Sequence, residues 1–138
     1  MRIVCDTNIV LDVLLEREQF YRDSSRVLTA IDRNQLSGFL CATTITTIHY
    51  IVEKARTTKF AADQIARLIG LFEVAPVNKS IILAALAAKV KDFEDAVIVE
   101  SAIAVDADGI VSRDKAGFKN SPLPILLPGD LLKILEAN

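Results

Sequence analysis

Cysteine is scarce here, with two in 138 residues, Cys5 and Cys41. No disulfide framework and no zinc-ligand spacing can be assembled from them. Both lie in apolar, strand-like runs, Ile3–Cys5 and Phe39–Cys41, where a free thiol is ordinarily a small buried hydrophobe. Charge of one sign is also lacking: 16 Lys and Arg stand against 18 Asp and Glu, a net −2. Nothing therefore pulls the whole molecule toward nucleic acid or acidic membranes, which weighs against a constitutive DNA binder but not against an enzyme that meets nucleic acid locally. No apolar run approaches the ~20 residues of a membrane span. Internal repeats, low-complexity segments and long linkers are absent. The first residues enter a strand at once, so no signal peptide is expected and a cytoplasmic protein is the default.

What is present is the composition of a compact globular chain, 51% hydrophobic and 25% charged. Its length suits one domain over residues 1–138 and is too short for two. Apolar runs at Ile3–Cys5, Phe39–Ala42, Glu73–Val77, Gly109–Ser112 and Pro124–Leu127 read as strands, and helical periodicity separates them. A short helix follows Asn8 on Ile9, Val10, Val13 and Leu14, and a second carries Tyr21, Ser24/Ser25, Leu28 and Ile31. Thr43 or Thr44 offers a cap for a helix buried through Ile45, Ile48, Val52 and Ala55. Ala61 to Phe72 turns Ile65, Leu68, Ile69 and Phe72 inward. Asn78 or Ser80 caps another helix running to about Lys89, and Asp92-Phe93-Glu94-Asp95 opens a long one through Val105. Pro128 starts the closing helix. Continuous apolar strands alternating with helices predict an α/β fold, a central and mainly parallel sheet of about five strands between two helical layers.

Four carboxylates fall at one predicted edge. Asp6 follows the first strand, and Asp114 lies two residues beyond the strand that ends at Ser112. Asp92 and Asp95 begin the helix that precedes that strand. In an open α/β sheet the carboxyl ends of the strands are where ligands bind. Acids gathered there repel one another and retain protons unless a cation joins them, and oxygen-only ligands suit Mg²⁺ or Mn²⁺. Asn8 and Ser112 add neutral oxygens. The chemistry suggested is hydrolysis of a phosphodiester or phosphate ester. Each signal has a plain alternative: Asp6 as a helix cap, Asp92-x-x-Asp95 as a cap with an acidic third position, Asp114 as a turn residue. Their joint placement carries the weight.

With these residues in view, the chain resembles the PIN domain, the nuclease fold of VapC-type toxins and many related bacterial proteins. Cys5-Asp6-Thr7-Asn8-Ile9-Val10-Leu11-Asp12 is similar to the family's first-strand motif. Asp92-Phe93-Glu94-Asp95-Ala96 is similar to its acidic helix start in one bacterial subgroup, and Ile110-Val111-Ser112-Arg113-Asp114 to its later strand and turn. The resemblance implies a metal-dependent ribonuclease using Mg²⁺ or Mn²⁺. Asp6, Asp95 and Asp114 would then be catalytic and, with Asp92, metal-binding; Asn8 and Ser112 would orient ligands or water. Where many relatives carry a glutamate, this chain has His49 in Thr46-Thr47-Ile48-His49-Tyr50, with Glu53 one turn on as a partial substitute. An imidazole ligand suits Mn²⁺ better than Mg²⁺; the alternative is a histidine that only shapes the cleft wall. Arg113 is the best candidate for an RNA phosphate contact, ahead of Arg56, Lys59, Lys115 and Lys119.

The resemblance implies an RNA substrate, and toxin relatives add an antitoxin protein and a homodimer as expected partners. The competing reading is a catalytically weak PIN-like module that binds RNA or protein, which the His49 departure favours. A phosphoacceptor receiver domain of similar size is disfavoured: Asp6-Thr7 lacks the acidic pair, and the strand near Val74 ends without an acceptor aspartate.

Overall fold

Side-chain alternation along three short strands decides the layering. The computed structural model describes residues 1–138. In β1 (Arg2–Cys5), Ile3 and Cys5 enter one hydrophobic cluster while Val4 enters another. In β2 (Ser37–Cys41), Leu40 joins the first cluster and Phe39 and Cys41 the second; in β4 (Gly109–Val111), Val111 and Ile110 divide the same way. Period-two alternation thus buries both faces of the sheet. The first face is covered by α1 (Thr7–Leu14), α2 (Tyr21–Asp32), α3 (Ala42–Ala55), α4 (Thr58–Leu71) and α7 (Pro128–Glu136). The second is covered by α5 (Lys79–Ala87) and α6 (Phe93–Ala104).

With β3 (Glu73–Ala75) and β5 (Ile125–Leu126), the five strands run in the order β3-β2-β1-β4-β5, and every pairing is parallel. The chain builds outward from β1 through β2 to β3, then crosses the other face to add β4 and β5. Strand order therefore reverses between β1 and β4. Their carboxyl ends, level at Cys5 opposite Val111, open the crevice where such sheets hold ligands. No helix is long and apolar enough to cross a membrane.

Several local expectations are corrected. Neither Thr43 nor Thr44 caps α3, whose preceding residue Cys41 lends no side-chain bond. The Thr43 carbonyl instead accepts the hydroxyls of Thr46 and Thr47, and the Thr44 hydroxyl is buried with no partner. Tyr21, Ala55 and Ile69 are exposed: Tyr21 and Ala55 are terminal helical residues, and α4 buries Ala61 and Leu68 with Ile69 on its flank. Asn78 rather than Ser80 caps α5, and a 3-10 turn, Ala116–Phe118, follows Asp114.

Candidate active site

Asp6 ends β1 and opens α1. Its backbone is extended, its Oδ1 accepts the Thr7 amide at 2.8 Å, and its Oδ2 accepts the Ser112 hydroxyl at 2.7 Å. The Asn8 amide is 3.4 Å from both Asp6 Oδ2 and the Ser112 hydroxyl. Ser112, fully buried at the end of β4, also accepts the Asp114 amide at 3.0 Å. One hydroxyl therefore ties the ends of the two central strands together and sets the turn that carries Asp114. Asp114 Oδ1 accepts the Gly117 amide at 3.1 Å. Across the crevice, Asp92 Oδ1 caps α6 by accepting the Asp95 amide at 3.0 Å.

The capping and turn readings of Asp6, Asp92 and Asp114 all hold, yet they do not exclude a shared site. Each cap uses one carboxylate oxygen and leaves the other to face elsewhere. Around Gly117 this becomes concrete. A Cβ built on that glycine would lie 2.6 Å from Asp95 Oδ2 and 2.7 Å from Asp114 Oδ2. The two oxygens are therefore no more than about 5.3 Å apart, the sum of those distances. They face a space that only a residue without a side chain leaves open.

The electrostatics follow from this crowding. The Asp95 carboxyl is pushed up to about 7, first by burial, then by the charges of Asp6, Asp92, Asp114 and Glu94. Asp6 is also raised, chiefly by burial and further by Asp114; the Ser112 hydroxyl, the Thr7 amide and the Arg113 charge pull it partly back. No three acidic, imidazole or thiol groups close into a ready cation cage in the protein alone. Like charges without a counter-ion keep apart. The donor set and the void beside Gly117 fit a hard, oxygen-preferring divalent cation. Lys91, Asp92, Ala116 and Gly117 line the hollow over the site, about 440 Å³.

A family model described as the PIN domain matches residues 2–116. The chain belongs to the PIN-domain family. Its fold is also similar to VapBC2 from Rickettsia felis bound to a promoter DNA fragment, with TM-score 0.71 and 15% identity over 92% of this chain and 98% of that one. A toxin–antitoxin complex from Klebsiella pneumoniae gives 0.69 and 17% over 91% and 97%. FitAB bound to a DNA fragment gives 0.68 and 16% over 91% and 94%. No curated protein matches the chain in sequence.

Within this PIN domain, two further expected participants lie on α3 and in the Asp114 turn. His49 is half-buried in the second turn of α3 and makes no hydrogen bond to the acids or to Asn8. Arg113 does not reach freely into solvent. Its Nε and one terminal nitrogen donate to the two oxygens of Asp12 at 2.8 and 2.9 Å, and its guanidinium lies 3.6 Å from the centre of the Phe20 ring. On its far side opens a larger crevice of about 500 Å³, between the starts of α2 and α7, which none of the four acids lines. Of the more distant cations, Lys59 pairs with Asp63 and Arg56 lies over Phe60. Two residues were missed from the sequence. Gly117 was signalled only by a glycine three residues after Asp114. Asp12 was signalled by an acid on the apolar side of a short helix, a position that demands a buried partner.

Proposed function

We propose that this PIN domain is a metal-dependent endoribonuclease that hydrolyses RNA phosphodiester bonds. The supporting observation is the pair of carboxylate oxygens from Asp95 and Asp114 facing one void beside Gly117, with Asp6 close enough to raise the proton affinity of Asp95. Asp6, Asp95 and Asp114 would hold Mg²⁺ or Mn²⁺, with Asp92 at the rim. Such a cation, when bound, polarises a phosphoryl oxygen and lowers the pKa of bound water.

The chain itself supplies orientation. Ser112 and Asn8 hold Asp6 from two sides, so its rotamer is set before any ligand arrives. Asp92 fixes the first turn of α6 and thereby the position of Asp95. Lys91 lines the hollow and Lys115 follows Asp114, both placed to attract a phosphate backbone. Hydrolysis joins a water oxygen to phosphorus, breaks one phosphorus–ribose oxygen bond and delivers a proton to the leaving oxygen.

The test is incubation of a mixed-sequence RNA oligonucleotide with the protein and Mn²⁺ or Mg²⁺. Cleavage that disappears with EDTA and in Asp6→Asn supports the reading. Uncut RNA, or cutting unchanged in that variant, overturns it. The second reading, a catalytically weak module that binds RNA or protein, is favoured by His49 standing where many relatives carry an acid; retention of uncut RNA by the wild type would establish it.

The partners follow from the same reading. One similar structure is described as a toxin–antitoxin complex, so an antitoxin polypeptide is the first proposed protein partner, and a second copy of the chain is the other. Exposed Leu83 and Leu86 on α5 supply apolar surface for one of them. Light scattering of the purified chain, alone and co-expressed with its neighbouring gene product, separates the two.

A further inference from the structure

We infer that Asp12 is a positioning residue of the acidic site, acting through Arg113. This rests on the reading of that site as a cation site. Asp12 is fully buried in α1, where a lone carboxylate is strongly disfavoured. It is satisfied by the two-pronged Arg113 fork, by the Ser24 hydroxyl at 2.9 Å and, more loosely, by Arg17 at 3.6 Å. The fork dominates, because paired charge-assisted bonds under 3 Å fix direction as well as distance. The Arg17 side chain is 37% exposed, whereas Arg113 is 24% exposed and braced on Phe20.

What the fork holds is the turn of the acidic site. Arg113 stands between Ser112, which binds Asp6, and Asp114. Its own amide is 3.3 Å from the Asn8 side-chain oxygen. Asp12 and Asn8 belong to the same helix, so α1 grips Arg113 at both side chain and backbone while Ser112 grips the following amide. The Asp114 side chain is itself held through Oδ1 by the Gly117 amide, and its Oδ2 faces the space beside Gly117 that Asp95 Oδ2 also faces. Asp12 therefore sets where Asp114 meets the cation without touching it.

The test replaces the whole buried polar unit by apolar side chains, Asp12→Leu, Ser24→Ala and Arg113→Met together, so that no charge is left buried alone. A second variant, Arg113→Lys, keeps the charge and loses the fork. Amide hydrogen exchange is read in the metal-free proteins, and Mn²⁺ affinity by calorimetry. The expected result is faster exchange, tenfold or more, confined to the Arg113 and Asp114 amides. Mn²⁺ affinity falls about 10- to 100-fold in the triple variant and less in Arg113→Lys, with melting temperatures near wild type. Unchanged exchange at both amides in a folded variant overturns the inference; if the triple variant does not fold, Arg113→Lys decides it by the same criterion. Wild type that binds Mn²⁺ without cutting RNA sinks the nuclease reading alone, and wild type that binds no Mn²⁺ sinks the cation site, while amide exchange still scores the grip of Asp12.

Discussion

Removing the charge of Asp95 should strengthen the metal-free fold while abolishing cation binding. Its side-chain oxygens accept no hydrogen bond from the protein, so Asp95→Asn deletes a charge and little else. The carboxyl is raised from 3.8 to about 7, which sets a ceiling of about 4 kcal/mol on what its ionisation costs the fold. The group is half-exposed, and solvent screening reduces that to about 1–2 kcal/mol. The sign follows from proton binding. Folded Asp95 holds its proton more tightly than the unfolded chain does, so its contribution to stability is complete below about pH 4 and is lost as pH rises through about 7. Asp6, raised in the same direction, adds to the slope. Calorimetry in EDTA should therefore show Asp95→Asn melting about 3–10 °C above wild type at pH 8 and close to it at pH 4.5, given roughly 3–5 °C per kcal/mol for this size. At pH 8, Mn²⁺ should raise the wild-type melting temperature and leave the variant unmoved. A variant no more stable than wild type at pH 8 would refute the claim that these acids repel one another.

Three further outcomes follow from the same geometry. Gly117→Ala places a methyl against Asp95 Oδ2 and Asp114 Oδ2; both are ends of movable side chains, so the fold should lose less than about 1 kcal/mol while calorimetric Mn²⁺ affinity drops about tenfold or more. Mn²⁺ affinity should weaken about tenfold per pH unit below about 7, because binding must displace the Asp95 proton; titrations in buffers of different ionisation enthalpy should count that proton. Thr44→Val exchanges an orphaned buried hydroxyl for a methyl and should raise the denaturant midpoint by the equivalent of about 1 kcal/mol.

The parts of this molecule legible in the sequence are those that local chemistry forces. Ile3-Val4-Cys5 followed by Asp6 can only be a buried strand meeting a polar edge. Strand–helix alternation then fixes a parallel sheet, and its topology brings Asp6, Ser112 and Asp114 to one end. Misjudgements arise where a residue's fate depends on distant partners. Thr44 has the chemistry of a cap but lies inside the protein, and α3 starts one residue after β2 with no side-chain cap. Arg113 has the charge to meet phosphate, but its partner Asp12 lies 101 positions earlier, a pairing no local pattern announces.

The central claim is that Asp95 and Asp114, with Asp6 behind them, share one divalent ion. Anomalous diffraction from crystals of the protein grown in Mn²⁺ tests it most directly. The account predicts a manganese peak beside Gly117, bonded to carboxylate oxygens of both Asp95 and Asp114. Manganese bound elsewhere, or bound to neither aspartate, would contradict it.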